Sequence, residues 1–422
     1  VTAEDEVKKP SAISGFSVIL LATLLAGVAA YFITWLVPRL IGLSDYAVFA
    51  VFWSAIYLVV AALFGVQQEV TRSTRLLPPD AAPQVSRARN FGVVAGLVVL
   101  VVVLATAPLW VGAVFPSAGW GLVWPLAVGT ASFVMVAVLS GSFYGVSAWR
   151  AVGLMIATDA VIRLVTLGIA LAFTHDVVVL AWAVAAPFPL TIVILWPFVR
   201  RQIVGRSQLD VGYRELTWNV ARTVVAAAST GIMVSGFPLL LGLTSHDEPK
   251  AVVGLYILTI TLTRAPLIVV TMSLQSFLTV RFRDNAEHFW REFLRIQAIV
   301  VGAAIIIAAG GWLLGPAVFG LLFPGSLRPE GWFIAVMVIS SGLMASLCVT
   351  APAVLARGRH VVYTAGWVVA ALVTIGALLL PLDFTLRTIL ALLLGPVAGL
   401  VVQGGYLAAS GRAYFLRSTP RL

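Results

Sequence analysis

Twelve apolar runs divide this chain, near 14–37, 46–69, 91–114, 121–144, 152–173, 177–199, 219–243, 251–280, 292–315, 331–355, 361–381 and 387–410. Each is close to the ~20 residues that a helix needs to cross ~30 Å of hydrocarbon. Lipid offers no partner to a backbone N–H or C=O, so a span must satisfy these groups within its own helix. The chain is 61% hydrophobic and only 10% charged, against about 25% charged in soluble domains. No soluble core absorbs that much apolar sequence. The pattern predicts an all-α polytopic membrane protein with twelve transmembrane helices.

The charged residues between the runs set an orientation. With the amino terminus inside, 20 basic residues fall on the cytoplasmic side, from Lys8 and Lys9 through Arg200, Arg201 and Arg206 to Arg421. Only four, Arg39, Lys250, Arg328 and Arg387, fall on the other. Cytoplasmic loops carry such an excess, and both termini are expected in the cytoplasm. The net charge of +10 then reads as attraction to anionic headgroups rather than to nucleic acid. The first run, Gly15 to Val37, outlasts the ~7–15 apolar residues of a secretory signal and is expected to stay as a span. Arginine outnumbers lysine 24 to 3, which hints at a GC-rich bacterial genome and a bacterial inner (plasma) membrane.

No metal or cofactor is expected. The single cysteine, Cys348, lies inside an apolar run. His175, His246, His288 and His360 sit in loops or at helix ends, with no second ligand at metal spacing. Outer connections are short, as in "THD" at Thr174 to Asp176, so no extracytoplasmic domain is available for catalysis and an enzyme is not expected.

The longest polar connection, "RRQIVGRSQLDVGYRELTWN" from Arg200 to Asn219, follows the sixth run. It divides the chain into six-helix lobes at 1–199 and 219–422, with 200–218 as a cytoplasmic linker. The two halves also echo each other. "VPRLIGL" at Val37 to Leu43 returns as "FPLLLGL" at Phe237 to Leu243, 200 residues later. "VQQEVTR" at Val66 to Arg72 returns as "LQSFLTVR" at Leu274 to Arg281. Pro38 and Pro238 are each expected to close the first helix of their half. Parallel six-span repeats with substrate between them are a transporter architecture.

Two longer phrases carry a family resemblance. "GLSDYAVFAVFWSAIYLVVAALFGVQQEVTR", Gly42 to Arg72, and "GSFYGVSAWRAVGLMIATDAVIRL", Gly141 to Leu164, resemble oligosaccharide (Wzx-type) flippases. These form one branch of the multidrug, oligosaccharidyl-lipid and polysaccharide exporter (MOP) superfamily. The resemblance covers the first half well and the second loosely. It implies two six-helix lobes around a central cavity and a lipid-linked saccharide as substrate.

Ionisable groups at membrane depth are costly and mark function or pairing. Arg163 lies roughly 16 Å into the fifth run and Arg264 roughly 20 Å into the eighth, at 1.5 Å per residue. Asp159 is one helical turn from Arg163 and suits an i,i+4 pair. Arg222 lies about a turn inside the seventh run, where snorkelling to the headgroups explains it. Arg264 has no carboxylate within a turn of its own helix, and Pro266 beside it predicts a local break. Arg39, which stands where the second half has Leu239, reads as a headgroup anchor or as a receiver of phosphate. Gln68 and Gln275, with Gln67 and Asn219, offer neutral partners for sugar hydroxyls, although glutamines at helix ends are commonly interfacial. Glu69 and Arg72 read as an interfacial pair.

A guanidinium donates two parallel hydrogen bonds to phosphate oxygens and stays charged. The substrate-binding set is therefore Arg264, Arg163, Arg222, Arg39, Asp159, Gln68 and Gln275, with phosphate on Arg264 and Arg163. The leading expectation is a flippase moving a polyprenyl phosphate- or pyrophosphate-linked saccharide from the inner to the outer leaflet by alternating access, for cell-envelope polysaccharide assembly. Its partners are the prenyl-linked saccharide and membrane lipids, with coupling to an ion gradient or membrane potential left open. A cation-coupled drug or metabolite antiporter of the same superfamily, or a membrane glycosyltransferase, are the alternatives.

Overall fold

The computed structural model describes residues 12–77, 87–284, 288–325 and 327–418. Lys8, Lys9 and Arg421, which entered the orientation count, lie outside them. Nearly all of the described chain is helix. In order, α1 (Ala12–Ser73), α2 (Arg87–Val114), α3 (Trp120–Gly145), α4 (Trp149–Phe173), α5 (Val177–Ala185) and α6 (Pro187–Val199) precede the central connection. After it come α7 (Tyr213–Val234), α8 (Phe237–Thr244), α9 (Lys250–Ser273), α10 (Gln275–Asp284), α11 (Phe289–Leu322), α12 (Gly331–Leu355), α13 (His360–Leu378) and α14 (Phe384–Ser418).

Among the described residues nine helices are long and apolar enough to cross a membrane, or ten when the bent pair α7–α8 counts as one span. Helix α1 counts once there, yet 62 residues would make a rod of roughly 90 Å, about three bilayer cores. It is broken at Gly42, where φ is 78° and ψ 166°, and supplies two spans. Helix α9, with 24 residues, completes the expected twelve.

Contacts gather the chain into two compact units. One takes Val1–Ile33, Ala62–Gly112 and Ser117–Val225; the other takes Thr34–Ala61, Ala113–Pro116 and Ala226–Leu422. The connection at 200–218 is no bare tether. Strand β2 (Ser207–Leu209) pairs antiparallel with β1 (Thr74–Leu76), Thr74 opposite Leu209. Leu77 N–H donates to the Arg206 carbonyl and Asp210 N–H to that of Ser73, both at 2.9 Å. The segment folds onto the end of α1, and the first unit runs on to Val225.

In the first unit α3 to α6 pack on one another around Leu139, Phe143, Val152, Met155 and Leu195. In the second, α12 is central: 83% of its most apolar window is buried, against 11% for α11, so α11 shows its flank to lipid. Small side chains let helix backbones approach where lipid supplies no hydrophobic drive, and α12 accordingly buries Ser340, Ser341, Gly342, Ala345 and Ser346.

The echoed phrase is used in two ways, both within the second unit. Pro38 does not end its helix, which continues to the break at Gly42. A positive φ is open to glycine because it has no Cβ, and nothing lies within 4 Å of where one would stand. Pro238 also does not end a helix; it opens α8, in the first turn. Gly242 inside α8 is helical, but a Cβ there would fall 2.6 Å from Val51 Cγ2. One glycine is required by conformation and the other by packing.

Candidate functional site

The two arginines buried among the described residues, Arg163 and Arg264, each face a neighbouring helix that is broken at a proline. A helical carbonyl normally accepts from the N–H four residues on, and proline has none to give. Pro187 and Pro189, at the α5–α6 join, leave the carbonyls of Ala183 and Ala185 without that donor. Pro238 does the same to Val234 at the end of α7. An unpaired carbonyl in lipid is expensive; Thr166 serves the one that Pro187 leaves at Ala183. The arginines reach the adjacent carbonyls of Val184 and Met233, whose usual donors would be Phe188 and Phe237 beyond the breaks.

In the first unit Arg163, 5% exposed, donates from Nη1 to the Val184 carbonyl at 2.5 Å. Thr166 Oγ1 donates to that of Ala183 at 2.8 Å. The other guanidinium edge meets Asp159, Nη2 lying 2.9 and 2.7 Å from its two oxygens. The guanidinium also lies over the Phe188 ring at 4.8 Å. The expected Asp159–Arg163 pair is present, and it neutralises a cap.

The second unit repeats the arrangement without the acid. Arg264, 7% exposed, donates from Nη2 to the Met233 carbonyl at 3.1 Å and lies 5.8 Å from the Phe237 ring centre. In both units the accepted carbonyl stands four residues before a phenylalanine that opens the letters "FPL", Phe188 to Leu190 and Phe237 to Leu239. One turn before Arg264 stands Ile260, where Arg163 has Asp159. Among the described residues no carboxylate lies within ion-pair distance of Arg264. Its Nε is buried with no hydrogen-bond partner.

Arg264 lines a crevice with Ile232, Met233, Phe237, Thr374 and Pro396, too narrow to admit water. The α7–α8 break beside it is bent by 68° and pinned by Ser54. That hydroxyl donates to the Ser235 carbonyl at 2.5 Å and accepts from Leu239 N–H at 3.1 Å. The break expected at Pro266 is not there, since α9 stays helical to Ser273. The irregular backbone at Arg264 belongs to the helix across from it.

The other candidates are more peripheral. Arg222 is exposed and lies 4.9 Å over Trp218. Arg39 is exposed, lies 5.3 Å over Trp35 and donates to the Leu322 carbonyl at 3.3 Å. Gln68 is exposed, and Gln275 reaches the Cys348 carbonyl at 3.5 Å. Arg163 lies in the first unit and Arg264 in the second. The expected Glu69–Arg72 pair is present, with Arg72 exposed, while Glu69, at 4% exposed, accepts from Arg72, Ser73 and Asn219 at 2.6, 3.1 and 3.1 Å. Asn219 is thereby committed to the protein. Sequence reasoning missed Ser54, Met233, Val184 and both "FPL" breaks. The repeated phenylalanine–proline pair was the available signal.

Solved structures identify the architecture. The inward-facing structure of a multidrug resistance MATE family transporter of the MOP superfamily matches with a TM-score of 0.67 at 14% identity, covering 95% of this chain and 99% of that one. The eukaryotic MATE transporter AtDTX14 matches at 0.59 and 15% identity, covering 97% and 96%. The fold is that of the MATE transporters, with twelve helices in two lobes. No protein-family model matches the chain. Uncharacterized protein Rv3630 of Mycobacterium tuberculosis (strain ATCC 25618 / H37Rv) is 33% identical over 390 residues, 90% of this chain and 89% of that protein. Uncharacterized protein Rv1510 of the same strain is 32% identical over 392 residues, 92% and 90% of the two. The chain belongs to the family of these mycobacterial proteins.

Proposed function

We propose that this protein is a flippase, carrying a polyprenyl phosphate- or pyrophosphate-linked saccharide from the inner to the outer leaflet of a bacterial plasma membrane for cell-envelope polysaccharide assembly. The lobes would be 1–199 and 219–422, with 200–218 between them and both termini cytoplasmic. The MATE fold supports transport by alternating access. The observation that carries the anionic substrate is Arg264, a buried guanidinium with no carboxylate in ion-pair distance among the described residues and with Nε unpartnered.

The chemistry follows from competition for that group. A phosphate carries charge and offers the guanidinium fork two parallel bonds, where a single neutral carbonyl accepts one. Phosphate reaching Arg264 would replace Met233 as acceptor, which uncaps the end of α7. Binding would thus act directly on the α7–α8 break, whose bending opens the narrow crevice. Arg163 cannot respond in the same way, because Asp159 already holds one edge of it. Its place is to brace the α5–α6 join.

A cation-coupled drug antiporter is the second reading, favoured by the multidrug transporters that share the fold. It needs carboxylates open to a cation, and both acids deep in the described helices are engaged, Asp159 by Arg163 and Glu69 by Arg72. Purified protein in vesicles with a fluorescent polyprenyl phosphate sugar separates the two. Transbilayer movement that Arg264→Ala abolishes supports the flippase. Ion-gradient-driven uptake of a cationic dye, with no movement of the prenyl lipid, rejects it.

A further inference from the structure

The first unit holds a cavity of about 660 Å³, within the ~300–1,000 Å³ usual for ligand pockets. It lies between the last third of α3, with Val138 and Leu139, and the second half of α6, with Val193 and Trp196. The turn at Ile203 and Val204 and the strand residue Leu209 form the wall toward the central connection.

Two observations specify what fills it. The first is the state of its hydroxyls. Thr74 Oγ1 donates to the Val70 carbonyl at 2.7 Å, Ser142 Oγ to that of Val138 at 2.9 Å and Ser207 Oγ to that of Ile203 at 3.0 Å. Each of these protons is spent on the backbone a turn away, and the wall left to an occupant is mainly hydrocarbon. Gln208 and Arg89 are the remaining polar side chains of the lining among the described residues, and Arg89 is exposed. Water stays in a buried space only where it finds roughly two to four polar partners, and this lining is poor in them. The second observation is the opening. Val193 and Val204 belong to the lining and are also 69% and 59% exposed, so the cavity reaches the surface at these side chains. On α6 that surface continues through the exposed Ile194 and Phe198. Exposed apolar side chains on a spanning helix meet lipid tails, which are as apolar as they are.

We infer that this cavity is an insertion site for one acyl chain of a membrane phospholipid, which enters past Val193 and Val204 and lies between α3 and α6 against Leu139. Recognition is by shape and hydrocarbon alone, with no part assigned to the headgroup. The drive is contact. An apolar wall with no partner atoms across it forfeits its dispersion attraction, and a chain restores those contacts without breaking any of the three hydroxyl bonds. Bilayer chains are also the most abundant molecules at such an opening. Ile203 and Leu209 form part of the wall, so the inserted chain packs against the segment that joins α6 to α7 and stiffens it. The site does not rest on the flippase reading and stands or falls by chain insertion.

The test uses the full-length protein in phosphatidylcholine nanodiscs, with a phosphatidylcholine probe carrying a diazirine at the end of one acyl chain. Illumination fixes the probe where it lies, and mass spectrometry maps the labelled residues. Val138 and Leu139 are 3% and 7% exposed, so lipid around the protein does not reach them, whereas a chain inside the cavity does. Ile306 and Leu313, exposed on α11, report the surrounding lipid and should be labelled in every variant. Val193→Trp narrows the opening and should lower labelling of Leu139 about tenfold relative to Ile306, or ~1.4 kcal/mol. Val204→Trp narrows it from the turn and should do the same; thermal melting shows which of the two variants is folded as the wild type is. Exchanging the probe for its phosphatidylglycerol counterpart should leave the labelling of Leu139 unchanged. Absence of label at Val138 and Leu139, or label that neither tryptophan lowers, overturns the site. A strong dependence on the headgroup overturns recognition by the chain alone. A polyprenyl phosphate that displaces the phosphatidylcholine probe from Leu139 overturns the assignment to a phospholipid chain.

Discussion

Arg264 donates to the carbonyl of Met233 on another helix, 3.1 Å away, and repeats in the second unit what Arg163 does to Val184 in the first. The two caps share a phenylalanine–proline pair and differ by one acid. With Asp159 in place the first cap is neutral; with Ile260 at the matching position the second keeps its charge. That single difference separates a structural brace from a group able to attract an anion.

Arg264→Ala should lower transport of a prenyl phosphate sugar by at least about tenfold while the helical content is kept. Leaving the Met233 carbonyl unpartnered costs roughly 1–3 kcal/mol, a loss visible in thermal melting but short of unfolding. Arg264→Lys should restore part of the activity, since an ammonium keeps the charge and loses the forked geometry. Normal transport by Arg264→Ala, measured as quencher-accessible probe in vesicles, removes Arg264 from the substrate site.

At the first cap the order of damage should reverse expectation for a simple charge loss. Asp159→Asn leaves a buried guanidinium uncompensated, a change worth a few kcal/mol. The double variant Asp159→Asn with Arg163→Met removes both charges and should melt closer to the wild type than the single variant does. If the double variant is folded yet inactive, Asp159 or Arg163 takes part in binding or coupling rather than bracing.

The echoed glycines should answer differently to the same substitution. Gly242→Ala clashes with Val51, at a cost of about 1–3 kcal/mol, and Val51→Ala in the same chain should recover most of it. Gly42→Ala carries backbone strain of about 1–3 kcal/mol that no neighbour's truncation relieves. Melting temperatures of the three variants decide the matter.

Ser54→Ala should loosen the α7–α8 break, because one hydroxyl serves both the Ser235 carbonyl and Leu239 N–H. Hydrogen exchange at the Leu239 amide should accelerate by about tenfold or more, in line with a lost bond worth ~1.5 kcal/mol. Exchange at α12, which does not touch that hydroxyl, should be unchanged. An unaltered Leu239 amide would show that the break is held by other means.

The topology is open to cysteine labelling at exposed positions. Arg206→Cys and Arg359→Cys should react with an impermeant reagent from the cytoplasmic side and Asp247→Cys from the opposite side. All three are exposed, unlike Ser245, which is 5% exposed and a poor reporter. Reaction of the Arg206 and Asp247 positions from one side contradicts the twelve-span orientation.

The class of fold was legible in one dimension because lipid imposes a one-dimensional rule. Every span must be apolar over about 20 residues and must satisfy its own backbone, so run lengths alone located the helices that the structure contains. The Asp159–Arg163 pair was legible for a related reason: i,i+4 neighbours on a helix meet whatever surrounds them. Arg264 stood out as a deep charge without a local acid. Its acceptor did not, because Met233 lies 31 residues away and a carbonyl has no sequence signature. Proline's missing N–H is written in the sequence at 187, 189 and 238, but which side chain meets the carbonyls around each break depends on which helix lies alongside. The same holds for Gly42 and Gly242, identical letters whose roles were divided by a backbone angle in one case and by Val51 in the other. The strand at Ser207–Leu209, too, was decided by its partner at Thr74–Leu76, since a short polar segment becomes a strand only where another edge meets its hydrogen bonds. Composition and spacing determined that this chain crosses a membrane twelve times; contacts between residues distant in sequence decided which of its buried charges remained uncompensated.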